Sequence, residues 1–193
     1  MSATSEPAAV TTALKALHQR FAAAGIVLRT EYDTEWASSC ELGQPESADG
    51  VAKIRWQPVP RWDSSGHLPA DFAGLENALQ AAVHPDFKAY FSSFWSGSLE
   101  STATDGHVSL LQLWNPSDRD RLIENLIGHV LEQRRARGPL SLFFACTEAD
   151  SDLILTLHNS TGEVLLEQPG RKPLRTVAAS LTAFIDSLVP AGS

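Results

Sequence analysis

Between Leu140 and Gln168 the chain carries three strand-like runs, LSLFFACT, DLILTLH and EVLLEQ, joined by an acidic turn and by Asn159-Ser160-Thr161-Gly162. Connections of hairpin length join antiparallel neighbours, because a parallel crossover needs a dozen or more residues. Upstream, SLESTA and HVSLLQLW flank Thr104-Asp105-Gly106, whose Asp-Gly pair is the strongest short hairpin signal in the chain. VAKIRWQP, from Val51 to Pro58, is a further strand that Pro58 and Pro60 should terminate. Strands grouped between helices in this way predict an α+β fold: a largely antiparallel mixed sheet with helices packed on one side.

The helices announce themselves by periodicity and caps. Leu14, Leu17 and Phe21 recur at three- and four-residue steps, marking a helix that ends at Gly25. Helical patterns follow over 71–83 and 85–94, the second with Pro85 suited to a first turn. Asn115-Pro116 then opens a long helix, with Leu122, Ile123, Leu126, Ile127 and Val130 as its buried stripe and Arg121, Asn125, His129 and Gln133 in a polar row along its edge. Gly128 sits inside it at a cost of about 1 kcal/mol relative to alanine, which predicts a neighbour packed closely against it. A final helix is expected over 175–188, with Val177, Leu181, Phe184, Ile185 and Leu188 on one stripe.

A chain of 193 residues, 43% hydrophobic and 20% charged, has the composition of a globular protein. One domain over 1–193 is expected, with flexible ends at about 1–8 and 190–193. No apolar run is long enough to cross a bilayer, and MSATSEPAAV has neither secretory nor transit-peptide character, so the cytoplasm is the expected compartment. Asn159-Ser160-Thr161 is therefore a turn rather than a glycosylation site. Cys40 and Cys146 stand far apart, in no metal or redox spacing, and predict free thiols.

The formal net charge of -8 disfavours nucleic acid and an anionic membrane surface, leaving a basic protein as the natural partner. Nucleophile elbows, cysteine-centred signatures and phosphate-cradling glycine loops are absent, so no enzyme is expected. His18, His67, His84, His107, His129 and His158 have no metal-ligand spacing and read as isolated structural or surface residues; neither a metal nor a cofactor is expected. Residues 31–49 carry Glu31, Asp33, Glu35, Glu41, Glu46 and Asp49 without one Lys or Arg, and read as an irregular acidic loop or short turns. Trp36 lies among those charges, where an exposed aromatic marks a binding surface, although packing under the loop is the commoner fate of such a tryptophan. Asp33, Glu35, Trp36 and Glu41 are the candidate partner-binding residues.

ENLIGHVLEQRR, with LLQLW before it and PLSLFFA after it, resembles the Syd family of bacterial SecY-interacting proteins. Trp56-Gln57-Pro58 matches the family's strand end, NSTGEV its hairpin and ASLTAFIDSLVP its terminal helix, so the likeness runs from Ala13 to Pro190. The resemblance implies a SUKH-like fold and a non-catalytic cytosolic protein. Such a protein associates peripherally with the cytoplasmic side of the inner membrane by binding SecY, the channel subunit of the export translocon, through an acidic concave surface, and monitors or restrains the channel. Because SUKH relatives include immunity proteins, neutralisation of a toxin is the alternative. Basic cytoplasmic loops of membrane proteins complement the charge of this chain.

Overall fold

The computed structural model describes residues 7–48, 50–63, 68–69 and 71–192. Most of the N-terminal segment expected to be flexible, together with Asp49 and His67, lies outside the described residues.

Helix α1 (Pro7–Ala23) leads into a short strand β1 (Arg29–Glu31), then β2 (Glu41–Ala48), β3 (Val51–Trp56) and the two-residue β4 (Val59–Pro60). Helices α2 (Ala73–Leu79) and α3 (Pro85–Ser92) precede β5 (Phe94–Trp95). The hairpin β6 (Leu99–Ala103) and β7 (Gly106–Leu110) turns at Thr104-Asp105, and α4 (Pro116–Arg135) follows. The C-terminal part holds β8 (Ser141–Cys146), β9 (Ile154–His158), β10 (Val164–Glu167), β11 (Arg175–Ala178), α5 (Leu181–Ser187) and β12 (Val189–Pro190). The architecture is α+β, as the hairpin spacing implied.

The main sheet has seven strands in the order β11-β10-β9-β8-β7-β6-β12, and every neighbouring pair is antiparallel. Arg175 at one edge reaches Asp105 in the β6–β7 turn, at 2.7 Å, although four strands separate β11 from β6. The sheet is therefore strongly curled. A smaller sheet, β1-β3-β2, stands apart from it, and β4 pairs with β5.

Leu14, Leu17 and Phe21 of α1 are buried in a continuous apolar core with Phe87, Tyr90, Phe91, Phe144 and Phe184. Full burial of each such aliphatic or aromatic side chain is worth about 1.5–3 kcal/mol. α1 packs on α3 and α5, while α2 and β8 pack on α4. Asn159 ties the β9–β10 turn to the α2–α3 connection by accepting from the His84 N–H and donating to the Ala82 carbonyl, both at 2.9 Å. The sequon is thus a structural turn, and Cys40 and Cys146 are both free.

Three expectations are corrected. Residues 41–48 are not irregular: they form β2, paired with β3 through a bulge between Leu42 and Glu46, because the charged side chains project from an outer strand while the backbone is satisfied by the ladder. The final helix is shorter than its apolar stripe suggested. Arg175–Ala178 pairs with β10, and α5 starts only after Ser180, whose side chain accepts from the Ala183 N–H at 3.1 Å. Gly128 is exposed, and a methyl group added there would meet no atom within 4 Å outside its own helix. No close-packed neighbour offsets its cost.

Candidate partner-binding site

Nine residues separate β1 from β2, and their course is fixed by the start of α4. Asp33 Oδ1 accepts from the Glu35 N–H at 2.8 Å, and the Trp36 N–H donates to the Asp33 carbonyl at 3.1 Å, forming a tight turn. The Trp114 indole donates to the Trp36 carbonyl at 2.8 Å, and Asn115 donates to the Ala37 carbonyl at 3.2 Å. The Glu41 carboxylate then accepts from the Ser38 N–H at 3.0 Å. Asn115 has a second role: its side-chain oxygen caps α4 by accepting from the Asp118 N–H at 3.0 Å. Asp118 in turn accepts from the Trp114 N–H at 3.1 Å. The acidic turn and the helix start therefore brace one another.

Between them lies a cleft of about 220 Å³ lined by Glu31, Asp33, Trp36, Glu41, Gln112, Trp114 and Asp118, together with Thr30, Ser96, Gly97 and Ser98. Four carboxylates converge here around two indoles. Such a lining favours a cation, through charge and through the aromatic faces. Arg121 already holds its guanidinium carbon 5.2 Å from the centre of the Trp36 ring. Trp36 is half-buried, packing partly on the core and leaving part of its surface to the cleft.

Of the four sequence-predicted residues, Asp33, Trp36 and Glu41 come together in this cleft, whereas Glu35 is exposed and does not line it. Glu46 also points elsewhere, held 2.7 Å from Arg29, whose hydrogen bond and charge keep its carboxyl below the usual range. Asp118, Gln112 and Trp114 were missed. Each belongs to a segment whose local pattern already had a structural explanation, and only the tertiary approach of α4 to the turn adds them to the cleft.

The polar row on α4 ends in a different place. Gln133 is buried and bonds to Ser141 at 2.7 Å, to the Glu167 carboxylate and to the His129 ring at 3.1 Å. Glu167 lies 3.9 Å from His129, and burial raises its pKa while lowering that of the imidazole. Ser141 and Glu167 have no exposed surface, and their bonds to Gln133 seat α4 on the sheet. Among the described residues, no three His, Cys, Asp or Glu side chains are grouped to hold a metal ion.

Residues 11–190 match the family model described as Syd protein (SUKH-2). The chain is 36% identical over 160 residues to Protein Syd of Pseudoalteromonas atlantica, covering 83% of this chain and 82% of that protein. It is 38% identical over 168 residues to Protein Syd of Alteromonas mediterranea, with 87% and 88% covered. Protein Syd of Hahella chejuensis is 42% identical over 135 residues, with 70% and 67% covered.

Proposed function

We propose, from the premise that this chain belongs to the Syd (SUKH-2) family of non-catalytic binding proteins, that it docks through its acidic cleft onto basic cytoplasmic loops of SecY. Docking of this kind places the protein peripherally on the cytoplasmic side of the inner membrane, where it monitors or restrains the translocon. The observation that carries the reading is the convergence of Glu31, Asp33, Glu41 and Asp118 around Trp36 and Trp114. Lys and Arg are enriched on the cytoplasmic side of membrane proteins, so charge and topology agree. No helix among the described residues is long and apolar enough to cross a membrane, and attachment through a protein receptor needs none.

Capture of SecY from detergent-solubilised inner membranes by the tagged chain tests this. Native protein should retain SecY, and the double variant Asp33→Lys, Glu41→Lys should lose it while still unfolding cooperatively, with a melting point lowered no further than that of Asp33→Asn, Glu41→Gln, which disturbs the same two turn hydrogen bonds without reversing the charge. Retention of SecY by the variant moves the contact off the cleft. Co-isolation of a secreted toxin in place of SecY would instead assign the chain to the immunity branch of the superfamily.

A further inference from the structure

The cleft does not end at its acidic wall. Thr30, Gly97 and Ser98 also line a second depression of about 310 Å³, whose other walls include Phe21, Ile26, Leu28 and Trp56 together with Arg29 and Glu100. The two adjoin along Thr30, Gly97 and Ser98 as one groove, acidic at one end and mixed at the other, where Arg29 and Glu100 stand beside the apolar side chains. At Gly97 a methyl group would stand 2.7 Å from the Trp56 ring, far inside van der Waals contact, so only glycine lets the backbone lie against the indole there.

β1 runs along this groove and is an edge strand, paired with β3 on one side only. The Trp56 N–H donates to the Leu28 carbonyl at 3.1 Å and the Tyr32 N–H to the Ala52 carbonyl at 2.8 Å, in the register that sets Thr30 opposite Ile54. Leu28, Thr30 and Tyr32 therefore form the hydrogen-bonded pairs. By the alternation of an antiparallel ladder, the N–H and C=O groups of Arg29 and Glu31 turn away from β3. An edge presented in this way is a template for another strand. At the acidic end, Gln112 is 8% exposed, and neither of its amide atoms has a hydrogen-bond partner among the described residues. It stands beside the Tyr90 hydroxyl, close enough to temper the rise that burial imposes on that group's pKa, but not in hydrogen-bond geometry.

We infer that the groove takes an extended peptide segment of the partner as an added strand on the open edge of β1, with a basic side chain in the acidic end and an apolar side chain in the depression floored by Trp56. The inference rests on the acidic cleft being the docking surface. It adds a backbone contribution and a sequence preference, a cation and an apolar residue on the same strand face, that charge attraction alone does not require.

Capped six-residue peptides carrying one arginine and one leucine two positions apart, in both orders, are the probe, with Trp36, Trp56 and Trp114 as fluorescent reporters in the native chain. Each peptide is also made with alternate backbone nitrogens methylated, in each of two phases. One phase should weaken binding at least tenfold and the other leave it unchanged, because only one set of N–H groups faces β1. Arg29→Pro removes an outward N–H without touching the β1–β3 bonds and should bind at least tenfold more weakly than Arg29→Ala, which loses the same side chain and keeps the N–H; circular dichroism confirms that both variants fold. Equal binding of the two methylated phases, or no binding of any unmodified peptide, overturns strand addition. Equal phases with SecY still captured by the native chain and lost by the Asp33→Lys, Glu41→Lys variant would remove this inference and leave the docking assignment standing. The phase pattern without capture of SecY would do the reverse.

Discussion

His18 shows how one buried side chain makes stability depend on pH. Its ring packs edge-on against Phe94 with centroids 4.7 Å apart, and neither nitrogen has a hydrogen-bond partner among the described residues. Burial lowers its pKa from 6.5 to about 4. Above the unfolded value both states are neutral and the group contributes no pH dependence. As pH falls from 6.5 towards 4 the unfolded chain takes up a proton that the folded chain refuses, so stability declines through that window, by about 3 kcal/mol in all. Urea titrations of the native protein and His18→Leu at pH 7.5 and 4.5 should show a smaller loss in the variant; parallel losses would remove His18 as the cause. Gly128 supplies the opposite kind of residue-scale test. Its surroundings are open, so Gly128→Ala should stabilise the fold by up to about 1 kcal/mol through helix propensity, and a lower midpoint would mean that a contact had been lost.

At the scale of elements, α4 is the piece whose sequence and structure agree best. Asn115 and Pro116 start it, and Leu122, Leu126 and Val130 are buried as the periodicity required. Replacing Asn115 by alanine removes the cap on the Asp118 N–H and the bond to Ala37, and should cost about 1 kcal/mol by thermal denaturation. The same change should increase amide exchange in 33–38, because the helix start holds that turn. Equal exchange in the variant would mean that Trp114 alone fixes it. β2 and β11 were less legible for one shared reason. A strand's commitment comes from the partner that satisfies its backbone, and β3 and β10 are supplied by other parts of the chain. In 175–188 the apolar spacing fitted a helix throughout, yet Val177 serves a strand and Phe184 a helix.

Across the whole molecule, charge should govern how docking begins. With a net charge of -8 and carboxylates focused in one cleft, association with basic loops should slow as salt rises, since screening acts within about 10 Å at 0.1 M ionic strength. Stopped-flow measurement between low and high salt should show the association rate fall while dissociation changes little; a salt-independent rate would mark an apolar encounter. The geometry also ranks the acidic residues. Asp33→Lys and Glu41→Lys should each impair docking more than Glu35→Lys, whose side chain does not line the cleft, and equal effects of all three would show that only total charge matters.

The sequence alone settled the antiparallel character of the sheet, the long capped helix, the free cysteines and the family, because hairpin spacing, caps and periodicity are properties of adjacent residues. It also brought Asp33, Trp36 and Glu41 forward as a group, since they are close along the chain. What only the tertiary structure decided is which acidic groups share a surface. Glu35, between two cleft residues in sequence, does not line the cleft, while Asp118, more than eighty residues further on, joins it. The burial of Gln133 and Glu167 was decided there too, because burial depends on what the sheet places over a side chain and not on the residues beside it. The turn at Asp33 and the start of α4 meet only when Trp114 donates to the Trp36 carbonyl, a contact between segments 78 positions apart that no local pattern encodes.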